Sequence, residues 1–123
     1  MAAPNLLSPT TINGKTVTVN LTSTSATSVL SNAASSGKAL KVNALYVANT
    51  TASAANITIN QYSAAALGGT AFPIASTVSV PGNATLVVID KDAYVYLEEN
   101  TSLGATAGTA NALQIVCSYE EIS

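Results

Sequence analysis

The sequence predicts an all-β protein: a single antiparallel β-sandwich of jelly-roll type over residues 11–123, preceded by an extended N-terminal arm over residues 1–10. Three observations carry this. Apolar residues recur in short alternating runs, turn signals fall about every ten residues, and no segment keeps a 3.6-residue apolar period over three turns. A chain of 123 residues is long enough for one real core, and nothing in it reads as a linker to a second domain or as an internal repeat.

The elements follow in chain order. Pro4 and Pro9 both disfavour helix at the residue before them, which makes the arm extended. Asn13-Gly14 signals a tight turn, since both residues tolerate positive φ. Val17, Val19 and Leu21 then alternate with Thr and Asn as a half-buried strand. Ser23 to Leu30 is a weaker strand, and Asn32 to Gly37 a loop of small polar residues. Ala39 to Asn49 is the longest candidate strand. Its alternation changes phase midway: Leu40 and Val42 share one face, Leu45 and Val47 the other. That pattern requires either burial on both sides or a bulge.

Asn56 to Tyr62 alternates cleanly, with Ile57 and Ile59 inward. Ala64 to Leu67 has room for one helical turn, stopped by a loop at Gly68-Gly69. Pro73 to Val80 places Ile74, Ser76, Val78 and Val80 on one face, and Pro81-Gly82-Asn83 is a turn. Thr85 to Asp90 is apolar on both faces and reads as a central strand. Ala93 to Leu97 points Tyr94 and Tyr96 outward against Val95 and Leu97. Glu98 to Thr101 is a polar turn, Ser102 to Ala107 a thin strand, and Leu113 to Tyr119 the closing strand, with Leu113, Ile115 and Cys117 inward.

Composition restricts function. Charged residues make up 8% of the chain, against about 25% in a typical domain. There are four Lys, six acidic residues, and no Arg, His or Trp. Lys15, Lys38, Lys41 and Lys91 cannot assemble a basic patch, so no nucleic-acid partner is expected. Without His the usual general base is missing, and without Arg there is no bidentate clamp for phosphate or carboxylate. These absences argue against an enzyme, and no cofactor is expected. The opening residues lack the positive and apolar regions of a signal peptide, and no run approaches the roughly 18 apolar residues of a membrane span.

Candidate chemistry is sparse. The acidic residues pair as Asp90/Asp92, Glu98/Glu99 and Glu120/Glu121. The first two pairs flank one strand, whose length of about 17–20 Å keeps them out of a common site. Asp90 and Asp92 offer two oxygens to a Ca²⁺ ion that wants six to eight, so a solvated turn is the simpler reading and no metal is assigned. Cys117 alternates with inward residues and has no base partner, which makes it a core cysteine. Five Asn-X-Ser/Thr sequons (Asn20, Asn49, Asn56, Asn83, Asn100) follow from a Thr-rich composition. Tyr94 and Tyr96, with Tyr62 and Tyr119 also expected outward, are candidates for a protein interface or for cross-strand pairing.

Surface composition points to assembly. A sandwich this size exposes about half its residues, and here those are mostly Ser, Thr, Asn and Ala. Few isolated charges must be desolvated when such a surface is covered, and short side chains lose little rotamer entropy. The arm adds contact area beyond the body. The expected interface residues are therefore Pro4, Leu6 and Leu7 of the arm together with Tyr94 and Tyr96.

Several strings resemble a family of small virion structural proteins of tailed phages, notably those of marine cyanobacteria. They are the opening Met-Ala-Ala-Pro-Asn-Leu-Leu-Ser-Pro-Thr-Thr-Ile-Asn-Gly-Lys-Thr, the central Ser-Gly-Lys-Ala-Leu-Lys-Val-Asn-Ala-Leu-Tyr-Val-Ala-Asn, and Val-Ser-Val-Pro-Gly-Asn-Ala-Thr-Leu-Val-Val-Ile-Asp-Lys-Asp. Tyr-Leu-Glu-Glu-Asn-Thr-Ser-Leu and the terminal Val-Cys-Ser-Tyr-Glu-Glu-Ile-Ser complete the set. The resemblance covers nearly the whole chain. It departs at Asn100-Thr101, where members often carry Gly-Asp. It implies a multi-copy component of the virion, brings no catalytic residue, and does not fix a location in the particle.

The leading expectation is a capsid decoration, or cement, protein: a homo-oligomer, trimeric at local three-fold axes, that bridges capsomers of the major capsid protein or docks on another virion protein. It would be made in the host cytoplasm and reside in the virion, with no membrane partner. The alternatives are a neck, tail or fibre component and, from a different class, a glycan-binding β-sandwich module.

Overall fold

The computed structural model describes residues 4–123; positions 1–3 of the expected arm lie outside the described residues. The described residues form nine strands: β1 (Ile12–Asn20), β2 (Thr27–Asn32), β3 (Ala39–Asn49), β4 (Ala55–Ala64), β5 (Gly68–Val80), β6 (Thr85–Ile89), β7 (Val95–Leu97), β8 (Thr101–Ala107) and β9 (Leu113–Ile122). A 3-10 turn, Lys91–Ala93, separates β6 from β7. One sheet runs β1-β9-β3-β6, with β7 also paired to β3; the other runs β2-β8-β4-β5. All the strand pairs are antiparallel. Each sheet interleaves strands from the two halves of the chain, which is the winding of a jelly roll.

The core lies between the sheets. Leu45, Val47, Leu113, Ile115 and Cys117 from the first meet Ile57, Ile59, Leu103 and Ala105 from the second, all at most 1% exposed. Burying each Leu or Ile contributes roughly 1.5–3 kcal/mol. The phase change inside β3 is a bulge between Val42 and Ala44, with Asn43 as the extra residue.

Long-range pairing overrides several local signals. Asn13-Gly14 is not a turn: it lies inside β1, paired with Glu121 and Glu120 of β9. Residues 10–11 bond to the Ser123 backbone instead of folding back, so the ladder extends through the supposed turn. Gly68-Gly69 opens β5 rather than a loop, and β5, at 13 residues, is longer than the 11 of β3. The hairpin turn sits earlier. Ala66 and Leu67 both have positive φ (55° and 61°), and Gly68 N–H donates to the Ala65 carbonyl. This is a type I′ hairpin turn, not the helical turn that an Ala-rich run suggests.

Side chains from β2, from β8 and from the turn before β8 hold that strained turn. The N–H groups of Ala65, Ala66 and Leu67 donate in succession to Asn100 Oδ1, Ser31 Oγ and Ser102 Oγ. In β5 the residue Thr77 has φ 51° and sits in a bulge, so Ile74 and Val80 do not share a face. β6 is an edge strand, because β3 and β9 occupy the centre of its sheet. The strand expected from Ser23 starts only at Thr27. Pro81–Ala84 is the turn expected there, with Asn83 at φ 59°.

Candidate interaction surfaces

The five expected interface residues do not converge. Pro4 is half-buried, whereas Leu6 and Leu7 are 48% and 95% exposed. Asn5 ties them into a local turn, accepting from Leu7 N–H on Oδ1 and from Ser8 N–H on its carbonyl. The arm joins the body at Thr10 and Thr11, beside β1. Tyr96 lies in β7, paired with Lys41, while Tyr94 ends the 3-10 turn rather than sharing the strand. The β1 and β7 edges are separated by β9 and β3, about 14 Å at the usual strand spacing. Tyr94 and Tyr96 do meet each other edge-to-face, with centroids 5.5 Å apart, and Lys41 Nζ stands 4.5 Å above the Tyr94 ring. Tyr62 is buried and Tyr119 packs partly on the core, so neither is an outward aromatic.

The titratable groups take structural positions. Asp90 Oδ1 accepts from the N–H groups of Asp92 and Ala93, capping the 3-10 turn. Among the described residues no three His, Cys, Asp or Glu side chains form a metal-holding group. Glu121 takes Lys38 and Lys15 at 3.2 Å each. Those hydrogen bonds, Lys38 first, hold its carboxyl below the ordinary value. Cys117 is fully buried, and desolvation pushes its thiol up to about 11.

Two surfaces stand out that single-residue reading does not reveal. The first is the β1 edge with the adjoining outer face. β1 pairs with β9 in unbroken register over nine residues, contains no Pro and no bulge, and carries one charge, Lys15, which is engaged by Glu121. Edge strands are ordinarily blunted by Pro, bulges or charge. β5, the edge of the other sheet, is blunted in that way by Pro73 and by the Thr77 bulge. From the β1 edge a row of side chains, Thr18–Val116–Tyr46–Val87, crosses all four strands. Val116, Tyr46 and Val87 in this row are 38%, 40% and 50% exposed. A shallow groove of about 330 Å³ runs between β1 and β9, lined in part by Thr18, Asn20, Gln114 and Val116.

The second is a cleft on the same outer face, toward the opposite edge. It gathers Lys41, Asn43 and Tyr46 from β3, Glu120 from β9, and Asp90-Lys91 from the turn. The only sequence signal for it is the phase change at Asn43, since its charges come from separate parts of the chain.

No protein-family model and no curated protein matches the chain. Among solved structures it is similar to a chain from the Bacillus endospore appendages, which form a family of disulfide-linked pili. Identity is 17% over 92% of this chain and 88% of that one, with a TM-score of 0.52. At that identity the likeness is one of fold: both chains share the β-sandwich.

Proposed function

We propose that the chain is a self-associating structural subunit of a tailed-phage virion, acting as a capsid decoration protein. One observation carries the self-association: β1 is an unbulged, proline-free edge beside an exposed apolar row. In an isolated molecule such an edge is a template for another backbone. Covering it with a neighbouring copy satisfies its free N–H and C=O groups and buries Val116 beside it, leaving Tyr46 at the border of the covered area. The role is mechanical and has no catalytic step. Each copy bridges a junction of the shell, so expansion must break these contacts. Pro4, Leu6, Leu7, Tyr94 and Tyr96 add contacts at the two ends of the same sheet.

The virion setting comes from the family resemblance, and the similarity to a pilus subunit supports assembly from a sandwich of this kind. That similarity also favours a second reading, a fibre, neck or tail component, in which a heterologous contact repeats without closing. Quantitative mass spectrometry of intact particles separates the two. Decoration predicts on the order of hundreds of copies, while a neck or tail ring predicts about six to eighteen. Particles lacking the protein should assemble but burst at lower temperature. Absence of the chain from purified particles would exclude both.

A further inference from the structure

The cleft on the outer face of the first sheet has a composition unlike the rest of the molecule. The chain carries ten charged side chains, four Lys and six acidic, and four of them, Lys41, Lys91, Asp90 and Glu120, line this one site. Its volume is about 540 Å³, within the range of small-ligand sites, which runs from roughly 300 to 1,000 Å³. Backbone irregularities form it. β6 and β7 both pair with β3, and between them the 3-10 turn leaves the edge of β3 beside the Asn43 bulge.

The lining is held in place before any ligand arrives. Asp90 Oδ1 caps the turn, and its Oδ2 has no hydrogen-bond partner among the described residues. Asn43 Nδ2 donates to Glu120 Oε1 at 3.2 Å. Lys41 is positioned over Tyr94. Holding the groups beforehand lowers the ordering cost of binding.

We infer that this cleft binds a neutral saccharide unit. Two ammonium and two carboxylate groups cancel, so the site favours neither a simple anion nor a simple cation. A sugar hydroxyl both donates and accepts, and the mixed lining answers both: the Asp90 and Glu120 carboxylates accept, and Lys41, Lys91 and the Asn43 amide donate. Hydrogen bonds to charged groups are roughly twice as strong as neutral ones. Tyr46, at 40% exposure, supplies an aromatic surface for the apolar C–H side of the ring. On the virion this would attach the protein to a glycan while the β1 edge serves assembly. The two surfaces adjoin at Tyr46 and are otherwise separate.

The test is titration of the purified chain with D-glucose, D-galactose, D-mannose and N-acetyl-D-glucosamine, read by saturation-transfer NMR and calorimetry, with sulfate and N-acetylneuraminic acid as anionic comparisons. At least one neutral sugar should bind with Kd on the order of 1 mM. Asn43→Ala and Asp90→Asn should each weaken it tenfold or more. Thr18→Lys, at the β1 edge, should change self-association and leave sugar affinity within twofold, which separates this site from the assembly surface. Circular dichroism checks that each variant is folded. No binding of any neutral sugar at 20-fold this concentration, preference for an anion, or unchanged affinity in folded Asn43→Ala would overturn the inference.

Discussion

Asn49 shows how a single polar residue in this core fixes its surroundings. It is 3% exposed, its Nδ2 donates to the carbonyls of Ser53 and Val80, and its Oδ1 accepts from Thr51 N–H and Oγ–H. It thereby fastens the β3–β4 loop to the end of β5. Asn49→Ala leaves these partners unpaired, and the expected loss is about 2–3 kcal/mol, read as a fall in denaturant midpoint with unchanged slope. Glu121 is a weaker fastening. Its two Lys partners are both more than 40% exposed, so the pair of bridges contributes under about 1 kcal/mol. Its carboxyl titrates lower folded than unfolded. The stabilisation is therefore present above the ordinary carboxylate pKa and lost as pH falls through the folded value. Glu121→Gln should lower the melting temperature slightly at pH 7, and the difference from wild type should close in strong acid. Cys117 is a neutral thiol in the folded protein, buried and titrating near 11. A thiol reagent at pH 8 should label it only as fast as the chain opens, and at once in denaturant. Reducing agent should leave any assembly intact, because Cys117, the one cysteine of the chain, is a buried free thiol.

At the scale of elements, the packing explains which sequence signals hold. Ala39–Asn49, with its phase change, and the strand carrying Ile57 and Ile59 are where alternation places them, because both edges of these strands are paired and one face lies on the core. Asn13-Gly14 and the run Leu86-Val87-Val88-Ile89 mislead because their fate depends on partners distant in sequence, whereas Gly68-Gly69 misleads because the turn falls just before it, at Ala66-Leu67, and Gly68 already pairs with Ala64. Gly14 pairs with Glu120, over a hundred residues away, and no local rule anticipates that. The aromatic pair was legible as a surface feature, while the cleft was not, because Lys41, Asp90 and Glu120 meet only through the sheet. The type I′ turn at Ala66-Leu67 lays Leu67 over Gly104. A Cβ added at Gly104 would lie 2.6 Å from Leu67 Cδ2 and 2.9 Å from Tyr62 Cε1. Gly104→Ala should cost about 1–3 kcal/mol by forcing both side chains aside, as measured by thermal unfolding.

For the molecule as a whole, the scarcity of charge and the open β1 edge belong together. A surface of hydroxyls and small apolar groups is inexpensive to cover, and an unprotected edge gives the covering copy a place to register. The most direct test is sedimentation equilibrium of the purified chain, 12.3 kDa as a single copy, beside a Thr18→Lys variant. Thr18 is exposed at the edge, so the variant should fold with stability within about 0.5 kcal/mol of wild type. Assembly through the β1 edge should give a wild-type multimer, and a variant that dissociates at concentrations at least tenfold higher. A wild-type chain that stays at the mass of one copy up to about 1 mM would contradict it.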